Sequence, residues 1–400
     1  MSRTFFKKTG SIFTICLLLF SLVCPALYAS DGGEEGGTAP AAVTPDTGPD
    51  IAAKSGVLMD FTTGTVLYEK NIHDPMPPAS ITKIMTMLLV MEAVENGSLG
   101  MQDMVTASAH AASMGGTQIW LKEGEQMTVH DLLKATAVAS ANDAAMALAE
   151  HVGGSEEGFV AMMNNKAAEL GMKDTVFMNP TGLDADGHVS SAYDIALMSR
   201  ELLRHEAIRE YTSIWMDSLR GGKTELVNTN KLVRFYKGCT GLKTGTTDGA
   251  GSCVSVSATR SDMSLISVVM GCTTSKDRFD SARKLLDHGF GTYTMYQTNV
   301  SEDSLHPVKV IGGVAGKVEV ETDAGGMIII KKGSEKSVTE KTVLVEDVEA
   351  PVVKGQKLGE IHLSIDNQEI AVFQIKAKND IEKMTIFKAF RILFERMVTL

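Results

Sequence analysis

The chain has 400 residues, 44% hydrophobic and 22% charged, with a formal net charge of −11. Such a composition suits a soluble protein with well-buried cores and room for two or three domains. The acidic balance argues against a general nucleic-acid binder, which needs a basic face.

Residues 1–29 read as an export signal: Arg3, Lys7 and Lys8 precede a short apolar run, residues 12–23. That run is too short for a comfortable membrane span. Small residues (Cys24, Ala26, Ala29) mark the candidate cleavage points, and an uncleaved anchor is the alternative. Cleavage would leave Cys239, Cys253 and Cys272, an odd number without C-x-x-C spacing, read as free thiols. The nine histidines are scattered and no H-E-x-x-H occurs, so neither a metal nor another cofactor is expected. Residues 30–50, rich in Gly, Pro, Ala, Thr and acidic residues, read as a flexible linker.

Residues 55–59 and 65–68 are β-type runs around Thr63-Gly64 and predict a hairpin. Pro77-Pro78-Ala79-Ser80 then opens an apolar run at helical spacing, residues 81–94, which ends at Asn96-Gly97. Ser80 and Lys83 lie one turn apart on one face of that helix. Ser80 is either its N-cap or a nucleophile activated by a neutral amine. Lys83 in the first turn suits the second reading, because the positive end of the helix dipole disfavours another cation.

A loop with a short strand is expected over 115–124. Helices 131–139 and 143–151 are interrupted at Ser140-Ala141-Asn142, since Ser and Asn bond their own backbone. Further helices are expected at 155–170 and 193–204, with a loop at 179–184 between them. Strands at 254–258 and 265–270 follow the stretch Lys243-Thr244-Gly245, and a helix resumes at 277–286. The class is α+β with a largely antiparallel sheet. From 299 to 378, short apolar runs between Gly and charged turns predict a small all-β domain. The last segment, 381–400, carries a basic amphipathic helix starting near Thr385, with Ile386, Phe387, Phe390, Leu393, Phe394, Met397 and Val398 on one arc. We read it as an anchor to a membrane surface, the alternative being a helix docked on its own domain.

Ser80-x-x-Lys83, Ser140-x-Asn142 and Lys243-Thr244-Gly245 are weak signals singly, but in this order they form the motif set of serine acyl-transfer enzymes. With the stretches 78–83, 179–184 and 243–251, the chain resembles the low-molecular-mass penicillin-binding proteins, specifically the D-alanyl-D-alanine carboxypeptidases related to penicillin-binding protein 5. The resemblance implies a β-lactamase/transpeptidase-like catalytic domain over 51–293, a helical cluster plus a mostly antiparallel sheet. It implies that Ser80 attacks the carbonyl of the penultimate D-alanine with Lys83 as base, and that Ser140 relays a proton between Lys83 and Lys243. Asn142 would hold the substrate's amide, while Lys243 and Thr244 would line the strand along which substrate lies. Gly245 would let that strand come close, the backbone N–H groups of Ser80 and Thr246 would form the oxyanion hole, and Arg278 would bind the substrate carboxylate.

The partners so implied are peptidoglycan stem peptides, β-lactams as covalent inhibitors and the outer face of the cytoplasmic membrane. Two positions depart from the family: Ala141 stands where Gly or Asp is familiar, and Thr246 where some relatives carry His. A β-lactamase is one alternative, although residues 177–187 hold Asp184 and Asp186 but no glutamate for deacylation. An endopeptidase acting on cross-links is another. A non-catalytic wall-binding protein would require a decayed site, whereas all three motifs are intact.

Overall fold

The computed structural model describes residues 48–298, 305–322 and 326–398. The export signal and nearly all of the linker lie outside the described residues. The main sheet begins with β1 (Ser55–Asp60) and β2 (Val66–Lys70), the hairpin expected around Thr63-Gly64. It is completed from the other end of the domain by β3 (Cys239–Thr247), β4 (Gly251–Arg260) and β5 (Met263–Cys272). The strand order is β2-β1-β5-β4-β3, antiparallel throughout.

Both faces of this sheet are covered, so its central strands are apolar on both sides. In β1, Val57 and Met59 face one core and Leu58 the other, as a period of two requires. The first core joins the sheet to helices α1 (Lys83–Glu95), α2 (Val129–Val138), α3 (Asn142–Gly153), α4 (Glu156–Glu169) and α5 (Ala192–Arg204). The second is closed by α6 (Ser275–Thr292), which lays Phe279, Ala282, Leu285 and Leu286 on Val254, Val256 and Leu265. Each such large side chain contributes roughly 1.5–3 kcal/mol by burial. Helix α1 is apolar almost all round because it lies inside the first core, with Ile84 to Val90 all buried. Gly97, at φ +78°, takes the left-handed step that ends it.

Several expectations change. The stretch 115–124 contains no strand: it is a loop in which Trp120 adopts φ +61° and is 75% exposed. The hairpin Met216–Leu219/Thr224–Val227 is an element the sequence reading omits. The C-terminal region is all-β, as expected. A four-stranded sheet is ordered Val320–Thr322, Gln368–Ala377, Lys357–Ile365, Val338–Leu344, beside a three-stranded one. The strand Met327–Lys331 pairs instead with Tyr293–Gln297, directly after α6. Ile381 and Lys383 bridge to Val352 and Gly313, and the helix expected from near Thr385 runs as α7 (Ile386–Val398). Among the described residues, no helix is long and apolar enough to cross a membrane, no metal-binding cluster occurs, and all three cysteines are free.

Candidate active site

The site is assembled where α1 begins. A tight 3-10 turn, Ala79–Thr82, precedes the helix, and Lys83 is the first residue of α1 proper. Ser80 is therefore not an N-cap: its side chain makes no capping bond, and its Oγ lies 2.9 Å from Lys83 Nζ. Lys83 is 0% exposed. Its Nζ also donates to Asn142 Oδ1 and to the backbone O of Thr181, both at 2.6 Å. Burial, reinforced by the positive charge of Lys243, pushes its pKa well below the ordinary lysine value; the nearby Asp143 opposes this.

These three contacts can all be met by a neutral amine, the state that burial favours. Two partners are carbonyl oxygens, which can only accept, and the third is a hydroxyl, which can do either. A neutral amine has two N–H bonds and one lone pair. It can satisfy both carbonyls and still accept the proton of Ser80.

Asn142 is held at the N-terminus of α3, just after Ser140, which takes the left-handed φ of +64°. Its backbone N–H donates to Thr117 O at 2.7 Å and its Nδ2 to Gly115 O at 2.6 Å. Next to it, the buried carboxylate of Asp143 accepts from the backbone N–H groups of Ile119, Leu121 and Ala144. One helix start thus fixes both the Lys83 partner and the loop above it. Ser140 is 5% exposed, but it makes no hydrogen bond to either lysine among the described residues. The bridge expected between Lys83 and Lys243 is absent, because Asn142 occupies the Lys83 amine and Lys243 turns to the backbone.

Strand β3 forms the opposite wall. Lys243 is 1% exposed and donates to Thr244 O at 3.0 Å. Burial, then the Arg278 guanidinium, pulls its pKa down to about 7. The Thr244 hydroxyl donates to Thr229 Oγ1 at 2.7 Å. At Gly245 the strand passes so close to the serine turn that a Cβ would lie 2.9 Å from Pro78 O and 3.0 Å from Ser80 N. Only glycine fits there.

Arg278 reaches this strand from α6. Its Nη1 donates to Gly245 O at 3.0 Å and to Thr246 Oγ1 at 2.9 Å, and the group is 8% exposed. It grips the strand itself instead of presenting an open fork to solvent.

Two residues outside the three motifs also shape this site. Asn179 Oδ1 accepts from Thr181 N, Thr181 Oγ1 and Gly182 N, curling the loop that delivers Thr181 O to Lys83. His188 bonds Thr82 across 106 positions of sequence. The Asn-Pro-Thr-Gly turn signature pointed to the first; nothing local pointed to the second.

Comparisons with known proteins give the family of the chain. The D-alanyl-D-alanine carboxypeptidase family profile matches residues 41–274, and that of the penicillin-binding protein 5 C-terminal domain matches 290–383. The chain is 46% identical over 335 residues to D-alanyl-D-alanine carboxypeptidase DacF of Bacillus subtilis, covering 83% of this chain and 86% of that one. The solved structure of penicillin-binding protein 5 from Haemophilus influenzae superposes with a TM-score of 0.79 at 33% identity, covering 84% of this chain and 100% of that one. Penicillin-binding protein D2 from Listeria monocytogenes, solved in an ampicillin-bound form, gives 0.54 at 35% identity over 60% of this chain and 100% of that one.

Proposed function

The chain belongs to the D-alanyl-D-alanine carboxypeptidase family, and from that premise we propose that Ser80 is its nucleophile and Lys83 the base. The enzyme is a serine-type carboxypeptidase acting on D-alanyl-D-alanine ends of cell-wall peptide. The observation that carries the residue assignment is the buried Lys83 amine, 2.9 Å from Ser80 Oγ with two carbonyls on its other side.

Ser80 Oγ attacks the penultimate carbonyl as its proton passes to Lys83, the terminal D-alanine leaves with a proton, and water releases the acyl group. Ser140, whose hydroxyl is bound to neither lysine, would hand the proton to the leaving amine. Lys243 and Thr244 hold the substrate carboxylate. The backbone N–H groups of Ser80 and Thr246 stabilise the oxyanion, a donor typically worth ~10²–10³ in rate. Arg278 fixes β3 through its Nη1 and supplies positive field at Lys243, and its remaining nitrogens would bind the substrate carboxylate. The ampicillin-bound relative supports β-lactams as acylating inhibitors of this chain.

Residues 1–29 would export the protein, and α7 would hold it at a membrane surface; six large apolar side chains on that helix are exposed, Phe387 at 89%. The decisive test combines D-alanine release from a pentapeptide ending in D-Ala-D-Ala with mass spectrometry of penicillin-treated protein. Ser80→Ala abolishes release and the adduct; an adduct that persists in this variant overturns the assignment.

A further inference from the structure

His188 lies in the loop that leads from Asn179 to α5, and it is 3% exposed. The backbone N–H of Met178 donates to its Nδ1 at 3.0 Å. A ring nitrogen that accepts carries no proton, so the ring proton is on Nε2. Nε2 lies 2.8 Å from Thr82 Oγ1 and donates to it. Thr82 in turn donates to the carbonyl of Ala79 at 2.9 Å. The proton order is settled along the whole chain: Met178 to His188, His188 to Thr82, Thr82 to Ala79. Only a neutral ring fits it, and burial keeps the ring neutral, pushing its pKa down to about 4.

The chain ends on the residue that bears the strain. Ala79 sits at φ +49°, a left-handed conformation that an alanine's Cβ disfavours. A disfavoured backbone persists only where its surroundings over-determine it. On one side a Cβ at Gly182 would come 1.9 Å from Ala79 O, and on the other Gly245 closes against Ala79 and Ser80. Thr82 and His188 supply the hydrogen bond that holds this carbonyl in place.

We propose that His188 is a positioning residue for acylation: through Thr82 it fixes the Ala79–Ser80 peptide, and with it the direction of the Ser80 hydroxyl and backbone N–H. This rests on Ser80 as nucleophile, which the mass of the penicillin adduct in the parent protein tests separately.

The experiment is a double-mutant cycle on penicillin acylation, followed by stopped-flow with full-length protein. His188→Phe keeps a buried ring and removes both hydrogen bonds; Thr82→Val removes the relay. Each should lower the acylation rate constant about 10- to 100-fold, the scale of an ångström-sized misplacement, with the non-covalent binding constant unchanged. The double variant should be no slower than either single one. His188→Gln, uncharged with one donor and one acceptor, should recover most of the rate. Losses that multiply in the double variant, weakened binding at an unchanged acylation rate, or a His188→Gln as slow as His188→Phe would each overturn the proposal. If His188→Phe does not fold, Thr82→Val decides alone: unchanged acylation refutes the relay.

Discussion

Two fully buried lysines in one cleft are the costliest residues of this molecule, since a buried cation without a carboxylate partner prefers to lose its proton. Lys243 shows the consequence for stability. An unfolded chain titrates this lysine near its ordinary value of 10.5, and the folded one at about 7. Between those values the unfolded state binds more protons, so stability climbs as pH rises through the window and the penalty is fullest below about 7. Lys243→Met should therefore raise the melting temperature at pH 6, with a smaller gain at pH 10, while D-alanine release is lost. Thermal unfolding at the two pH values checks this; an equal gain at both would contradict the burial account. At this scale the sequence shows the side chains whose order and spacing carry meaning: Ser80 and Lys83, Asn142, and Lys243 through Gly245. It does not show His188, a lone histidine among Asp and Gly whose partner is 106 positions away.

Element by element, what can be read depends on whether the cause is local. The break between α2 and α3 is visible because Ser140 and Asn142 favour turns; the reciprocal cap of Thr274 and Asp277 starts α6 at Ser275, ahead of the expected 277. Strand β3 is harder: Lys-Thr-Gly-Thr-Thr has no alternating apolar pattern, and its pairing with β4 makes it a strand. The loop at 115–121 has a β-like composition, yet Asp143 draws its N–H groups into a carboxylate and prevents pairing. The tightest contact between elements is β3 against the serine turn. Gly245→Ala should leave the fold intact while lowering kcat/KM by ~10-fold or more, because β3 must retreat from Ser80 to admit a methyl group. Circular dichroism together with peptide turnover checks both halves; a fully active, folded variant would show that the approach of the strand is not needed.

For the whole molecule, the five-residue pairing of Tyr293–Gln297 with Met327–Lys331 stitches the strand after α6 to the C-terminal β region. Composition alone placed the boundary near that point, but it could not show that the chain crosses back to pair. Helix α7 stands at the far end of the chain with Ile386, Phe387, Phe390, Leu393, Phe394 and Met397 all exposed. Removing residues 386–400, while keeping the bridge at Ile381, should leave turnover of soluble peptide unchanged and abolish sedimentation with anionic lipid vesicles. A truncated protein that still sediments would place the anchor elsewhere.

One of the three contacts of the Lys83 amine is a main-chain carbonyl. The carbonyl oxygens of Pro180 and Thr181 receive Thr86 and Lys83, and any amino acid supplies a carbonyl. Saturation mutagenesis should nonetheless find that Thr181, buried with its hydroxyl on Asn179 Oδ1, accepts little besides Ser, while Asn179, which curls the loop, and Gly182, at φ +80° against Ala79, tolerate almost nothing. A histogram of tolerated substitutions would mark all three positions as constrained, although only Thr181 touches Lys83. Substitutions in this loop would then reach the Lys83 amine indirectly, by moving the one carbonyl that it meets there.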